Sequence, residues 1–190
     1  MPPSLFREPP YLRPARALTA SVNDWLLSSF EGEAVQELGG VLAVLRAASI
    51  VHQAHHWQTR GSSFYGDHQL FDRLYSEGLE GIDQVAERAV GLGGRELVGA
   101  ARQSTLVADL IARWTSMSGD SSAAGLAGIS LGVERDVVSA VTEAKRSLEA
   151  SGRLTEGTDN LLQGIADQHE EFVYLLQQRL GADGYSYDAR

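Results

Sequence analysis

The chain has 190 residues, 43% of them hydrophobic and 22% charged, with no cysteine and a formal net charge of -9. This composition fits one soluble globular domain, excludes disulfides, thiolate ligands and cysteine nucleophiles, and opposes binding to polyphosphate unless positive charge is gathered locally. No apolar run of about 18 residues and no apolar leader is present, so the expectation is a cytoplasmic protein without a membrane span.

Residues 1–22 carry Arg7, Arg13 and Arg16 against Glu8, interspersed with Pro2, Pro3, Pro9, Pro10 and Pro14. They read as an irregular, mildly basic arm. From Glu33 to about Thr59 the chain is free of proline and apolar on nearly every side, with Leu38, Val41, Leu42, Val44, Leu45, Ile50 and Val51. A helix apolar all round is buried all round. The RGSS run ends it, and a second helix is expected from Gly66 or Asp67 to Gly91, stopped by Gly91, Gly93 and Gly94.

A third helical stretch covers about 95–117, followed by SGDSSAAGLAGISLG, a connection read as helical only in part. ERDVVSAVTEAKRSLEASG then gives a helix ending near Gly152, and the last helix runs to Gly181 with Leu161, Ile165, Phe172, Leu176 and Leu180 on one stripe. No strand pattern appears. The fold class expected is all-α: a ferritin-like four-helix bundle over 23–182, with an additional helix joining the second and third long helices, and a short tail over 183–190.

On the second helix, steps of 100° per residue place His68, Asp72, Asp83 and Glu87 on nearly one face. Phe71, Leu74, Ile82, Val85 and Ala89 fall on another, rotated by roughly 100°. If the apolar face looks into the bundle, the histidine and carboxylates look out. Asp72 and Asp83 stand roughly 16 Å apart along the axis, whereas ligands of one ion each lie within about 2 Å of it. One chain therefore offers two half-sites, and antiparallel pairing of two identical helices across a two-fold axis would join them. His56, at the end of the first helix, can complete the imidazole side through the short turn. His52, one turn earlier, is expected in a packed or supporting position beside the centre; His169, between Ile165 and Phe172, is expected as a hydrogen-bonded core residue.

Imidazole with carboxylate suits ferrous iron or manganese, with zinc left open by ligand type alone. No Glu-x-x-His occurs anywhere, which counts against a di-iron centre inside the bundle.

The run HWQTRGSSFYGDHQLFDRLYSEGLEGIDQVAERAVGLGG, residues 56–94, resembles the Dps family, the mini-ferritins. The resemblance rests on His56-Trp57, Arg60-Gly61, Phe64 and the spacing His-x11-His-x3-Asp-x10-Asp-x3-Glu. It implies an intersubunit ferroxidase centre with His56, His68 and Asp72 from one chain and Asp83 and Glu87 from another, with Trp57 beside it. It further implies a hollow dodecamer built from two-fold dimers that oxidises Fe(II), with hydrogen peroxide preferred to dioxygen, and stores ferric mineral. Which acids line the pores for iron is not read from one sequence; the region from Glu134 to Asp159 is where they would be sought. The lysine-rich DNA-binding tail of the family is missing. Two other readings stand beside this one: a nucleoid-binding cage gripping DNA through the arginine-containing arm, and a helical scaffold whose site is degenerate or occupied by zinc.

Overall fold

A computed structural model of the chain describes residues 36–116 and 120–181. The arm expected over 1–22, the first residues of the expected bundle up to 35, and the tail over 183–190 lie outside the described residues. Among those described, the elements in order are α1 (Gln36–Gln58), α2 (Phe64–Gly93), a 3-10 turn (Arg95–Val98), α3 (Ala100–Ser116), α4 (Ala123–Ala150) and α5 (Glu156–Leu180).

The four long helices α1, α2, α4 and α5 make the bundle. The closest pairings are α1 with α2, α4 with α5, and α1 with α4, while α3 packs across α1. This explains why α1 is apolar on every side: Leu38, Val41, Leu42, Ala43, Val44, Leu45, Ala47, Ala48 and Val51 are all buried. Ile50 departs from the expectation and is 48% exposed. At Gly39 an added Cβ would stand 3.4 Å from the backbone oxygen of Leu97, so the missing side chain lets the 3-10 turn lie against α1. The buried Gln103 amide fastens the same place, donating to Gly39 O at 3.0 Å and Leu97 O at 2.8 Å.

The Gly/Ser/Ala-rich connection is helical from Ala123 onward and continuous with the next helix, so α4 begins eleven residues before Glu134, the stretch read as its start. Ser122 caps it by accepting from Gly125 N at 3.1 Å, and Asp120 accepts from Ser122 N at 2.8 Å. A Cβ at Gly125 would lie 2.3 Å from Asp120 O. Thus a glycine that lowers helix propensity in the interior is what permits this close cap. The early turns bury Leu126, Ala127, Ser130 and Leu131, which a loop would have left without a place in the core.

Asp67, in the first turn of α2, is 1% exposed and pairs with Arg179 near the end of α5. Ser63 adds a hydrogen bond to Asp67 at 2.6 Å. The Arg179 hydrogen bond, against the opposing effect of burial, holds the Asp67 carboxyl below its usual range. A carboxyl depressed in the folded state stabilises above its unfolded pKa and loses that contribution as pH falls through the folded value. Asp67→Asn is therefore expected to cost about 1–3 kcal/mol near neutrality, and the gap to wild type should close below the ordinary aspartate range. Urea unfolding at fixed protein concentration across pH 2–7 measures it; a gap that persists at the acid end would contradict the assignment.

Candidate metal centre

The turn between α1 and α2 brings His56 and His68 face to face, with ring centroids 3.7 Å apart and planes 23° from parallel. His56 Nδ1 lies 3.0 Å from the backbone oxygen of His68, and His68 Nδ1 lies 3.1 Å from that of His56. A carbonyl oxygen only accepts, so both Nδ1 atoms carry the proton. Each Nε2 of a neutral ring is then a free lone pair, the form in which imidazole binds a metal. Phe64 stacks on His68 at 5.0 Å and Tyr75 meets His56 edge-on at 5.5 Å, which fixes the pair from both sides.

Asp72 follows His68 by one turn and is half-buried. The Tyr75 hydroxyl is bonded to it, and the phenol pKa is raised by desolvation and then by the charge and hydrogen bond of Asp72. Asp83 and Glu87, one turn apart, are exposed. The apolar face of the same helix, Phe71, Leu74, Val85 and Ala89, is buried at 1% exposure or less. The two faces of α2 therefore separate as their angular spacing requires. Trp57, at the end of α1, is 71% exposed in the single chain.

The structure brings His56, His68 and Asp72 to one end of α2 and leaves Asp83 about 16 Å and Glu87 about 22 Å beyond Asp72 along the axis. Among the described residues, no three histidine or acidic side chains of one chain are placed to hold a metal ion. Of the two positions expected for His52, it takes the packed one. Its ring does not approach this centre but turns into the bundle, where Nε2 meets Glu134 Oε1 at 2.5 Å and Nδ1 meets Ser130 Oγ at 3.1 Å. On a helix buried all round, a residue one turn from the centre can still belong to the core.

The larger surprise is what His52 belongs to. Glu134, on α4, has no exposed surface, and its second oxygen meets His169 Nδ1 of α5 at 2.5 Å. Ser130 also receives His55 Nδ1 at 2.8 Å. Burial opposes the charge on Glu134, but the His169 and His52 imidazoles outweigh it and bring the carboxyl to about 2. Burial, and then the neighbouring His52, push His55 down to about 4. Glu134 thus belongs to the bundle interior, although it opens the segment in which pore acids would be sought. His169 is the hydrogen-bonded core residue expected. The signal for Glu134 was in the sequence: it shares a stripe with Ala127, Val137 and Val141, all buried, so an acid there must find partners.

A model of the ferritin-like domain matches residues 35–183. A nutrient stress-induced DNA-binding protein from a Nostoc species is 30% identical over 146 residues, covering 77% of this chain and 76% of that protein. The chain belongs to the Dps family. Among solved structures, Dps from Thermosynechococcus elongatus superposes with a TM-score of 0.67 at 20% identity, covering 89% of this chain and all of that one. DpsC from Streptomyces coelicolor gives 0.61 at 25% identity, covering 81% and 87% of the two chains. The all-α four-helix bundle seen here agrees with these Dps structures.

Removing a hydrogen-bond partner from a buried carboxylate leaves its charge stranded, at a cost of about 3–5 kcal/mol. His169→Ala should accordingly destabilise this Dps chain by several kcal/mol at neutral pH, more than Asp67→Asn. Denaturant midpoints of the two variants, compared at one protein concentration, provide the check; equal or reversed losses would mean that the Glu134 cluster contributes less than its burial indicates.

Proposed function

We propose that this protein is a mini-ferritin ferroxidase: pairs of chains bind Fe(II) at two equivalent intersubunit centres, oxidise it with hydrogen peroxide, and store the ferric product inside a closed cage of two-fold dimers, a dodecamer by family resemblance. The supporting observation is the complementarity of the two half-sites on α2. In an antiparallel pairing that sets Asp72 against Asp83 of a second copy, the same register sets His68 against Glu87 of that copy, because both pairs are symmetric about the point between Glu77 and Gly78. A two-fold axis there gives two complete sites from one contact. Leu79, 50% exposed, lies next to that point and would be covered by the pairing.

Each residue has a defined part. His56 and His68 offer neutral Nε2 lone pairs, already oriented by the carbonyls that hold Nδ1. Asp72, with Asp83 and Glu87 of the second copy, offers hard oxygen ligands, which favour ferric over ferrous iron. Two ferrous ions held together each supply one electron to peroxide, so its O–O bond breaks to two hydroxide ions without a free hydroxyl radical. Trp57, exposed beside His56, borders the centre, where an oxidisable ring can take up a stray electron hole. The acidic chain favours accumulation of Fe(II).

Asp72→Ala and Glu87→Ala should each slow ferric formation at least tenfold when Fe(II) is loaded anaerobically and peroxide then added. Equal rates in wild type and both variants would overturn the site. Dissociating the two variants and reassembling them together should restore activity to about a quarter of the wild-type centres, since half the dimers are mixed and each holds one intact centre. A centre confined to one chain would recover none.

Several relatives carry DNA-binding or DNA-protection names. With a net charge of -9 and one lysine in the whole sequence, we expect no salt-dependent mobility shift of duplex DNA at physiological ionic strength. A shift abolished by deleting residues 1–20 would instead favour the nucleoid-binding cage.

A further inference from the structure

We propose that the cavity between α1, α3 and α4 binds a small neutral molecule carrying one aromatic ring and one hydrogen-bond donor, a phenol or an indole. The cavity measures about 210 Å³, and its apolar walls are Ile50, Val51 and Ala54 of α1, Ile111 of α3, and Leu126 and Ile129 of α4. Ile50, the exposed member of the apolar set on α1, is thus one side of a concave surface. Asp120 reaches the same cavity from the connection before α4, where its carboxylate is engaged by Ser122.

The polar group that distinguishes this cavity is His55, which lines it and is 4% exposed. Its tautomer follows from the groups behind it. The ionised Glu134 carboxylate only accepts, so His52 Nε2 carries the proton that faces it. Nδ1 of neutral His52 is then an acceptor, and the Ser130 hydroxyl donates to it across 3.1 Å. Ser130 Oγ in turn accepts from His55 Nδ1 at 2.8 Å. His55 Nε2 ends the chain as a bare lone pair. Among the described residues it meets no donor, yet it is not sealed from solvent. Burial, and then the neighbouring His52, hold His55 down to about 4, so this nitrogen stays an acceptor at neutral pH.

These features define the ligand. Aliphatic walls disfavour a charged molecule, which would lose its hydration without gaining a counter-ion. A buried acceptor without a partner selects a molecule that brings an O–H or N–H. The size is right for one ring, since an apolar cavity of roughly 150 Å³ already takes up benzene. Apolar walls with a single fixed polar group are the usual make-up of a small-molecule site, the walls giving affinity and the polar group orientation. The cavity shares no residue with the intersubunit centre, so it stands or falls independently of the ferroxidase reading.

The test is calorimetric titration of the full chain with phenol, with toluene as the ring that lacks a donor and benzoate as the charged ring. Phenol should bind at about one molecule per chain, toluene about tenfold more weakly, and benzoate more weakly than either. Ile129→Trp, which fills the cavity from α4, should abolish phenol binding. His55→Phe should erase the preference for phenol over toluene. No uptake of phenol, equal affinity for phenol and toluene, or phenol binding unmoved by Ile129→Trp overturns the proposal. Should His55→Phe fail to fold, crystals of the unaltered chain soaked with para-iodophenol decide the matter: an anomalous peak between α1, α3 and α4 supports the site, and its absence there overturns it.

Discussion

The ionised carboxylate of Glu134 at the centre of the bundle constrains everything packed around it. A charge without access to water costs several kcal/mol unless donors meet it from nearby, and here they come from two other helices, His52 on α1 and His169 on α5. An apolar core of leucines and valines tolerates small slides of one helix along another. A carboxylate with one imidazole on each oxygen does not, because a shift of one turn, about 5.4 Å, would leave all three groups unpaired. The cluster therefore fixes the mutual register of α1, α4 and α5. The Asp67–Arg179 pair fixes α2 to α5 in the same manner near the other end of α5. Register is set by polar pairs, and cohesion by the surrounding hydrophobic clusters.

With register fixed, α2 can spend its remaining surface on function. Its inward face is occupied by Phe71, Leu74, Val85 and Ala89, and its outward face carries Asp72, Asp83 and Glu87. A straight helix cannot bring two groups 11 residues apart onto one ion, so the proposed centre requires a second copy. Glycines at 78 and 81 fit this division. Gly81 lies close to Ile165 of α5, whereas a Cβ at Gly78 would meet nothing within 4 Å, leaving the middle of the helix slim where the two copies would cross.

Much of this was legible in the sequence because it depends on periodicity alone. The four long helices, the extra helix and the separation of α2 into two faces follow from which residues recur at helical spacing. The misread parts share a different cause. The start of α4 was lost because Gly125, Gly128 and Gly132 depress local helix propensity, while the cap by Ser122 and the tight approach of Asp120 depend on geometry that no spacing rule encodes. Ile50 was misplaced because apolar character on every side says nothing about which flank a short fifth helix covers. His52 and His56 are four residues apart, which specifies only a shared face, and at His52 that face adjoins α4, where Ser130 and Glu134 meet its ring. The burial of Glu134 follows from its apolar stripe neighbours, but its partners come from other helices and no spacing rule names them.

The five histidines make the same point about chemistry. His56 and His68 have Nδ1 bound to backbone carbonyls, which can only accept, so their tautomer is dictated by groups that never change protonation. Their Nε2 atoms are thereby kept available at the surface where a second chain would arrive. His52 and His169 face a carboxylate, and His55 faces a hydroxyl. An ionised carboxylate likewise only accepts, so His52 Nε2 and His169 Nδ1 carry the protons that face Glu134, whereas the Ser130 hydroxyl can accept or donate. The outer pair leaves its Nε2 atoms open at the surface, and the inner pair closes on Glu134 inside the bundle. The distinction lies in the partner of each ring nitrogen, which residue type and spacing do not reveal.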